Sequence, residues 1–143
     1  MNEKIIQFLQ KQTCCTLCCT DHNSLPYCFS CYYSFNPEEG MLYFKSSADA
    51  YHSILLKVNP AIAGTILPDS LNKLKIKGIQ LSGLLLDNRN PLVQDAYLHY
   101  HKKHPMAMAI KGEMFTVRIE SIKMTDSTLI FGKKIFWNRS DGE

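Results

Sequence analysis

Six thiols crowd the first 31 residues: Cys14, Cys15, Cys18, Cys19, Cys28 and Cys31. Cys15-x2-Cys18-x9-Cys28-x2-Cys31 has the spacing of a tetrathiolate zinc site, and it falls on a hairpin as zinc-ribbon ligands do. A zinc knuckle holds two thiolates on one side of a tight turn, which usually requires Gly. The intervening pairs here are Thr16-Leu17 and Phe29-Ser30. On an extended strand, residues three apart point to opposite faces. Cys18 then faces with Cys14, and Cys15 with Cys19. Strand alternation therefore favours cysteine as a small buried hydrophobe. Zinc and a redox thiol pair are the other two readings.

The second cluster with chemical potential is His99, His101 and His104. On a helix, i and i+2 point about 200° apart. With Lys102 and Lys103 between them, a solvated basic face is expected rather than a metal site. No His/Asp or Cys/His spacing commits to a general acid, base or nucleophile, so no catalytic residue is named.

These residues need elements to position them. Met1 to Gln12 reads as a short helix, with Ile5, Ile6, Phe8 and Leu9 near i, i+3, i+4 spacing. Thr13–Thr20 and Tyr27–Phe35 read as strands of a hairpin across the turn cluster Asp21-His22-Asn23-Ser24. Met41–Phe44 follows the Asn36–Gly40 turn as a third strand. Ser46-Ser47-Ala48-Asp49 reads as a helix start, a Ser cap ahead of an acidic first turn. Asn59-Pro60 ends that helix. Ala61–Leu67 is a strand of small residues. Lys73–Leu86 alternates, with a phase shift at Gly78 that suggests a bulge. Asn90-Pro91 opens a helix carrying Leu92, Val93, Ala96 and Tyr100, and Pro105 follows it. Residues 106–111 are ambiguous. Glu113–Thr125 and Thr128–Trp137 read as the last strands, and 138–143 as a polar tail. Seven strands and three helices, mostly joined by turns, make a single α+β domain over 1–143 on an antiparallel sheet or barrel.

Composition agrees. The chain has 143 residues, 45% hydrophobic and 20% charged, which excludes intrinsic disorder. A core of this size needs no disulfide or metal to hold it. No apolar run approaches the ~18 residues of a membrane span, and the apolar stretch at 5–9 is too short for a signal-peptide core. A cytoplasmic protein with reduced thiols is expected. The net charge of +3 is too mild to argue for nucleic acid.

Several segments, in order along nearly the whole chain, resemble the pyridoxamine 5'-phosphate oxidase-like FMN-binding split barrels, most closely a small branch of that family. They are Thr16-Leu17 with Pro26-Tyr27, Leu42–Ser47, His52, Asn59–Ile66, Ile76–Gly83, Ile122–Asp126, Phe131–Lys134 and Trp137-Asn138-Arg139. The resemblance implies a six-stranded antiparallel split β-barrel with flanking helices, a homodimer, and FMN in a groove between the two subunits. Such a phosphate needs hydroxyl or backbone donors at a helix start, which Lys45-Ser46-Ser47 supply. His52 lies six residues beyond Ser46, about a turn and a half into the expected helix. It stands where the family often has Lys, and Ala50 and Tyr51 stand where a hydroxyl residue and Arg precede it. Gln80 falls on the strand that passes the flavin ring, and Trp137 with Arg139 resembles the family's C-terminal Trp-x-Arg. The resemblance thus implies cofactor-binding roles for Lys45, Ser46, Ser47, Tyr51, His52, Gln80 and Trp137, with a flavin affinity weaker than an Arg and Lys site gives. It implies a flavin-dependent oxidoreductase of unknown substrate. The alternative is a ligand-binding or scaffold protein on the same fold that has lost tight flavin binding.

Overall fold

The computed structural model describes residues 1–127 and 132–142. Helix α1 (Glu3–Lys11) is capped by Asn2, whose side chain accepts from the Lys4 amide at 2.9 Å. Strands β1 (Cys14–Thr20) and β2 (Pro26–Asn36) form the expected hairpin. Its turn is held by the Asp21 carboxylate, which accepts from the Asn23 and Leu25 amides. Strand β3 (Met41–Ser46), helix α2 (Tyr51–Val58), strand β4 (Ala61–Ile66), strand β5 (Lys77–Leu85), helix α3 (Ala96–Lys103), strand β6 (Glu113–Asp126) and strand β7 (Lys133–Asn138) follow.

The sheet order is β3-β2-β1-β4-β5-β6-β7, and β3 also pairs with β6. The first six strands therefore close into an antiparallel barrel, and β7 adds to the outside edge of β6. This is the α+β, six-stranded barrel with flanking helices that the sequence implies. Two strands make closure feasible by changing partners. Residues Pro26–Tyr32 of β2 pair with β1, and Tyr33–Asn36 pair with β3. Residues Glu113–Arg118 of β6 pair with β3, and Val117–Asp126 pair with β5.

Alternation builds the core. Leu17, Cys15 and Cys19 of β1 point inward, as do Ile62 and Ile66 of β4, Ile79 and Leu81 of β5, and Val117, Ile119, Ile122 and Met124 of β6. Ile5, Phe8 and Leu9 of α1 and Leu55 and Leu56 of α2 add to this core. A second cluster lies under α3, where Ala96 and Tyr100 cover Met41 and Tyr43. No helix among the described residues is long and apolar enough to cross a membrane.

The structure corrects several local expectations. The irregularity is not at Gly78. Register shifts between Ser82 and Gly83, because Glu120 of β6 is the extra residue between Ser121 and Ile119. A Cβ on Gly83 would lie 2.4 Å from the Arg118 carbonyl oxygen, so only glycine lets β6 approach there. Residues 73–76 precede β5 rather than belonging to it. Ser46 ends β3, and α2 begins only at Tyr51 with Ala50 as its N-cap, so neither serine caps the helix. The segment at 90–100 divides into a 3-10 turn at Pro91–Val93, capped by Asn90, and α3. Residues Pro105–Ala109 form another 3-10 turn. The Thr128–Phe131 part of the expected last strand lies outside the described residues. The tail is not free, because the Arg139 guanidinium donates to the carbonyls of Ile119, Glu39 and Gly40.

Candidate functional site

The seven candidate residues fall into separate places. Ser46 and His52 meet at the corner where β3 hands over to α2, with Ser46 Oγ 2.7 Å from His52 Nε2. The late helix start makes this contact. His52 is the second residue of α2, in its first turn, and so faces back toward the end of β3. The imidazole stacks on Phe29 of β2, with centroids 3.8 Å apart and planes 7° from parallel. Burial lowers the His52 pKa, so the ring is neutral at pH 7. Phe29 was not singled out from the sequence. It is one aromatic among several on β2, and only the β1–β2 register and the position of α2 select it.

Ser47 and Tyr51 flank the same corner. The Ser47 hydroxyl donates to the Asp49 carboxylate, which holds that carboxyl below its usual range. Its carbonyl accepts from the Ala50 amide at 3.3 Å and from the buried Ser53 hydroxyl at 2.7 Å. Tyr51 is half exposed and packs edge-on against Tyr27, at 4.9 Å between centroids. Ala50 makes no side-chain cap bond to the first turn of α2. The amides of that turn are therefore left to solvent or to an acceptor supplied by a ligand.

Lys45 is turned away from this corner. Strand alternation puts it on the opposite face from Ser46. There its ammonium donates to His101 Nε2 at 3.1 Å and to the Ala107 carbonyl at 2.9 Å. His101 Nδ1 donates to the Tyr97 carbonyl at 2.7 Å, which leaves Nε2 as the acceptor. The nearby Lys57 pairs with Glu113 at 3.6 Å. The corner thus offers neutral donors.

Gln80 stands exposed on the outer face of β5, between Thr65 of β4 and Lys123 of β6. Trp137 lies at the other end of β3, near Gly40, with the Arg139 guanidinium 5.5 Å from its ring. Six residue steps along β3 separate Gly40 from Ser46, about 20 Å. Within one chain, then, the structure unites Ser46 and His52, flanked by Ser47 and Tyr51. It does not bring Lys45, Gln80 or Trp137 to them.

The other expected clusters resolve clearly. Cys15 pairs across the hairpin with Cys31 on the inner face, and Cys18 with Cys28 on the outer face. The four thiols of the zinc spacing cannot converge, and no group of three or more metal-ligating side chains occurs among the described residues. His99 and His101 of α3 and His104 at its C-terminal cap are not a solvated face. His101 is buried, His104 Nε2 donates to the Tyr33 carbonyl at 2.7 Å, and His99 Nδ1 is 3.1 Å from Ser34 Oγ. The helix lies against β2 and β3, which supply those partners.

Known proteins share this barrel. The chain overlays on a heme binding protein from Mycobacterium smegmatis with a TM-score of 0.77 at 14% identity, covering 92% of this chain and 55% of that one. An FAD-binding protein from Mesorhizobium loti gives 0.66 at 14%, covering 85% and 92%. An F420 reductase gives 0.63 at 19%, covering 85% and 98%. These likenesses show the fold. No family model matches the chain. In sequence it is 34% identical over 135 residues to a UPF0306 protein of Photorhabdus laumondii, covering 94% of each chain. It is 31% identical over 139 residues to a UPF0306 protein of Yersinia enterocolitica, covering 97% of this chain and 94% of that one. The chain belongs to the UPF0306 family.

Proposed function

We propose that this protein binds a flavin mononucleotide, its phosphate at the β3–α2 corner and its ring in a groove that a second copy of the chain completes. The observation that carries the reading is the Ser46–His52 contact at 2.7 Å beside an uncapped helix start. A hydroxyl, an imidazole and backbone amides converging at one point are a phosphate's natural partners. The structural neighbours, a heme binding protein, an FAD-binding protein and an F420 reductase, support a planar cofactor on this barrel.

Each residue has a defined task in this reading. Ser46 and the first-turn amides of α2 donate to phosphate oxygens. His52 donates its Nε2–H to Ser46 Oγ, which frees the serine proton for the phosphate, and the ring is held in place by stacking on Phe29. Ser47 and Tyr51 border the entrance. The separation of Gln80 and Trp137 from this corner supports a site built from two chains, with those side chains coming from the partner subunit. A bound flavin supplies reversible two-electron and one-electron transfer, and the reading assigns the protein to the flavin-dependent oxidoreductases with no substrate specified.

One observation favours the alternative of a scaffold without tight flavin binding. The corner lacks a fixed cation, since Lys45 is held by His101 and His52 is neutral. A thermal-shift panel with FMN, FAD, heme and a deazaflavin separates the readings, because a ligand that binds only the folded state raises the melting temperature. A shift largest for FMN supports flavin binding. No shift with either flavin supports the scaffold, and a shift with heme alone moves the assignment to a heme-type cofactor.

A further inference from the structure

We propose that Cys18 and Cys28 form a thiol–disulfide site on the outer face of the barrel, one that a small-molecule disulfide closes into a cross-strand bond. The register makes them direct partners on β1 and β2. The phase of the ladder is set by the Tyr33 amide, which donates to the Thr13 carbonyl at 3.1 Å. Thirteen and 33 are thus a hydrogen-bonded pair, and alternation makes 18 and 28 a non-hydrogen-bonded one. Such pairs bring their α-carbons to about 4.5 Å, inside the range a disulfide accepts.

Access distinguishes this pair from the other. Cys15 and Cys31 approach to 3.6 Å, but they face the core, and Cys15 is 3% exposed. Cys28 is exposed, and it sits on the part of β2 that pairs only with β1. Its cross-strand partner Cys18 is flanked on β4 by Ala63, whose small side chain leaves the face open. Cys14 is on the same outer face, but four strand residues from Cys18, about 13 Å. That is too far for a bond.

The reaction balances with the named oxidant. The Cys28 thiolate attacks one sulfur of the small disulfide, breaking its S–S bond and releasing one thiol. Cys18 then attacks the Cys28 sulfur of the mixed disulfide and releases the second thiol. Two electrons pass from the protein to the small molecule, and the two thiol protons leave with the released thiols. This site is independent of the flavin reading.

The test is to incubate the fully reduced protein with oxidised glutathione, alkylate the remaining thiols and map the linkages by mass spectrometry. Chymotrypsin is the protease to use, because no Lys or Arg lies between Lys11 and Lys45 and trypsin leaves all six cysteines on one peptide. The expected product is one intramolecular Cys18–Cys28 bond with the other four thiols alkylated. Cys19→Ser should keep the bond. Cys28→Ser should abolish it, and Cys18→Ser should leave Cys28 carrying glutathione. A first bond between Cys15 and Cys31, or Cys18 and Cys28 both alkylated under conditions that place glutathione on Cys14, would overturn the proposal.

Discussion

Replacing His52 separates a phosphate partner from a merely structural ring. In the folded protein its imidazole is neutral, desolvated by burial, and joined to Ser46 and Phe29. A neutral hydrogen bond contributes about 1 kcal/mol net and a charge-assisted one about 1.5–3. His52→Lys should therefore strengthen FMN binding by about 1–2 kcal/mol, or roughly five- to thirty-fold. His52→Ala should weaken it about five-fold and lower stability by about 0.5–1.5 kcal/mol through the lost ring stack. The assay is quenching of FMN fluorescence at pH 7.5, with His52→Gln as a donor that does not titrate. The sign of the pH effect is also fixed. An anion favours the charged imidazole, so acidification from pH 8 to 5.5 should tighten wild-type binding relative to His52→Gln, with the phosphate's own titration cancelling in the ratio. Affinities within two-fold for all four proteins, with a flat ratio, would refute the role.

Stability should depend on pH in the opposite sense. Burial lowers the pKa of both His52 and His99, so the unfolded chain takes up protons first, near pH 6.5. Urea midpoints should fall as pH drops below about 6.5 and level off once the folded groups also protonate; a rising midpoint would contradict this. Gly83→Ala would force a Cβ to 2.4 Å from the Arg118 carbonyl and 2.9 Å from Val117 Cγ1. It should cost about 2–3 kcal/mol and roughly 5–10 °C of melting temperature, whereas Gly142→Ala, with nothing within 4 Å, should leave the melting curve unchanged. Tyr33→Phe removes the buried hydroxyl that donates to the Leu9 carbonyl at 2.7 Å. Calorimetry should show a loss of about 1–2 kcal/mol.

The strands were legible because alternation survives folding. Cys15 and Cys19 went inward and Cys14 and Cys18 outward, as an extended Thr13–Thr20 requires. What local patterns could not decide is where neighbours meet. Ser46-Ser47 has the composition of a helix cap, but pairing of Ser46 with Glu113 keeps it in the sheet and delays α2 to Tyr51. Gly78 and Gly83 both interrupt the apolar phase of β5, and only the partner strand, with its extra Glu120, shows which one marks the irregularity. His101 reads as basic surface until α3 is seen to lie on β3, where Lys45 needs an acceptor. Of the candidate site, family likeness named Ser46 and His52 separately, and their contact depends on the late start of α2, which local patterns do not give. The stack on Phe29 had no sequence signal of its own.

The central claim is that a phosphate is recognised where β3 meets α2. Calorimetric titration of the protein and its Ser46→Ala variant with FMN and with riboflavin, which lacks the phosphate, measures this directly. One FMN per chain should bind, tighter than riboflavin, with Ser46→Ala reducing that preference several-fold and leaving riboflavin unaffected. Equal affinity for the two flavins, or an FMN preference untouched by Ser46→Ala, would contradict it.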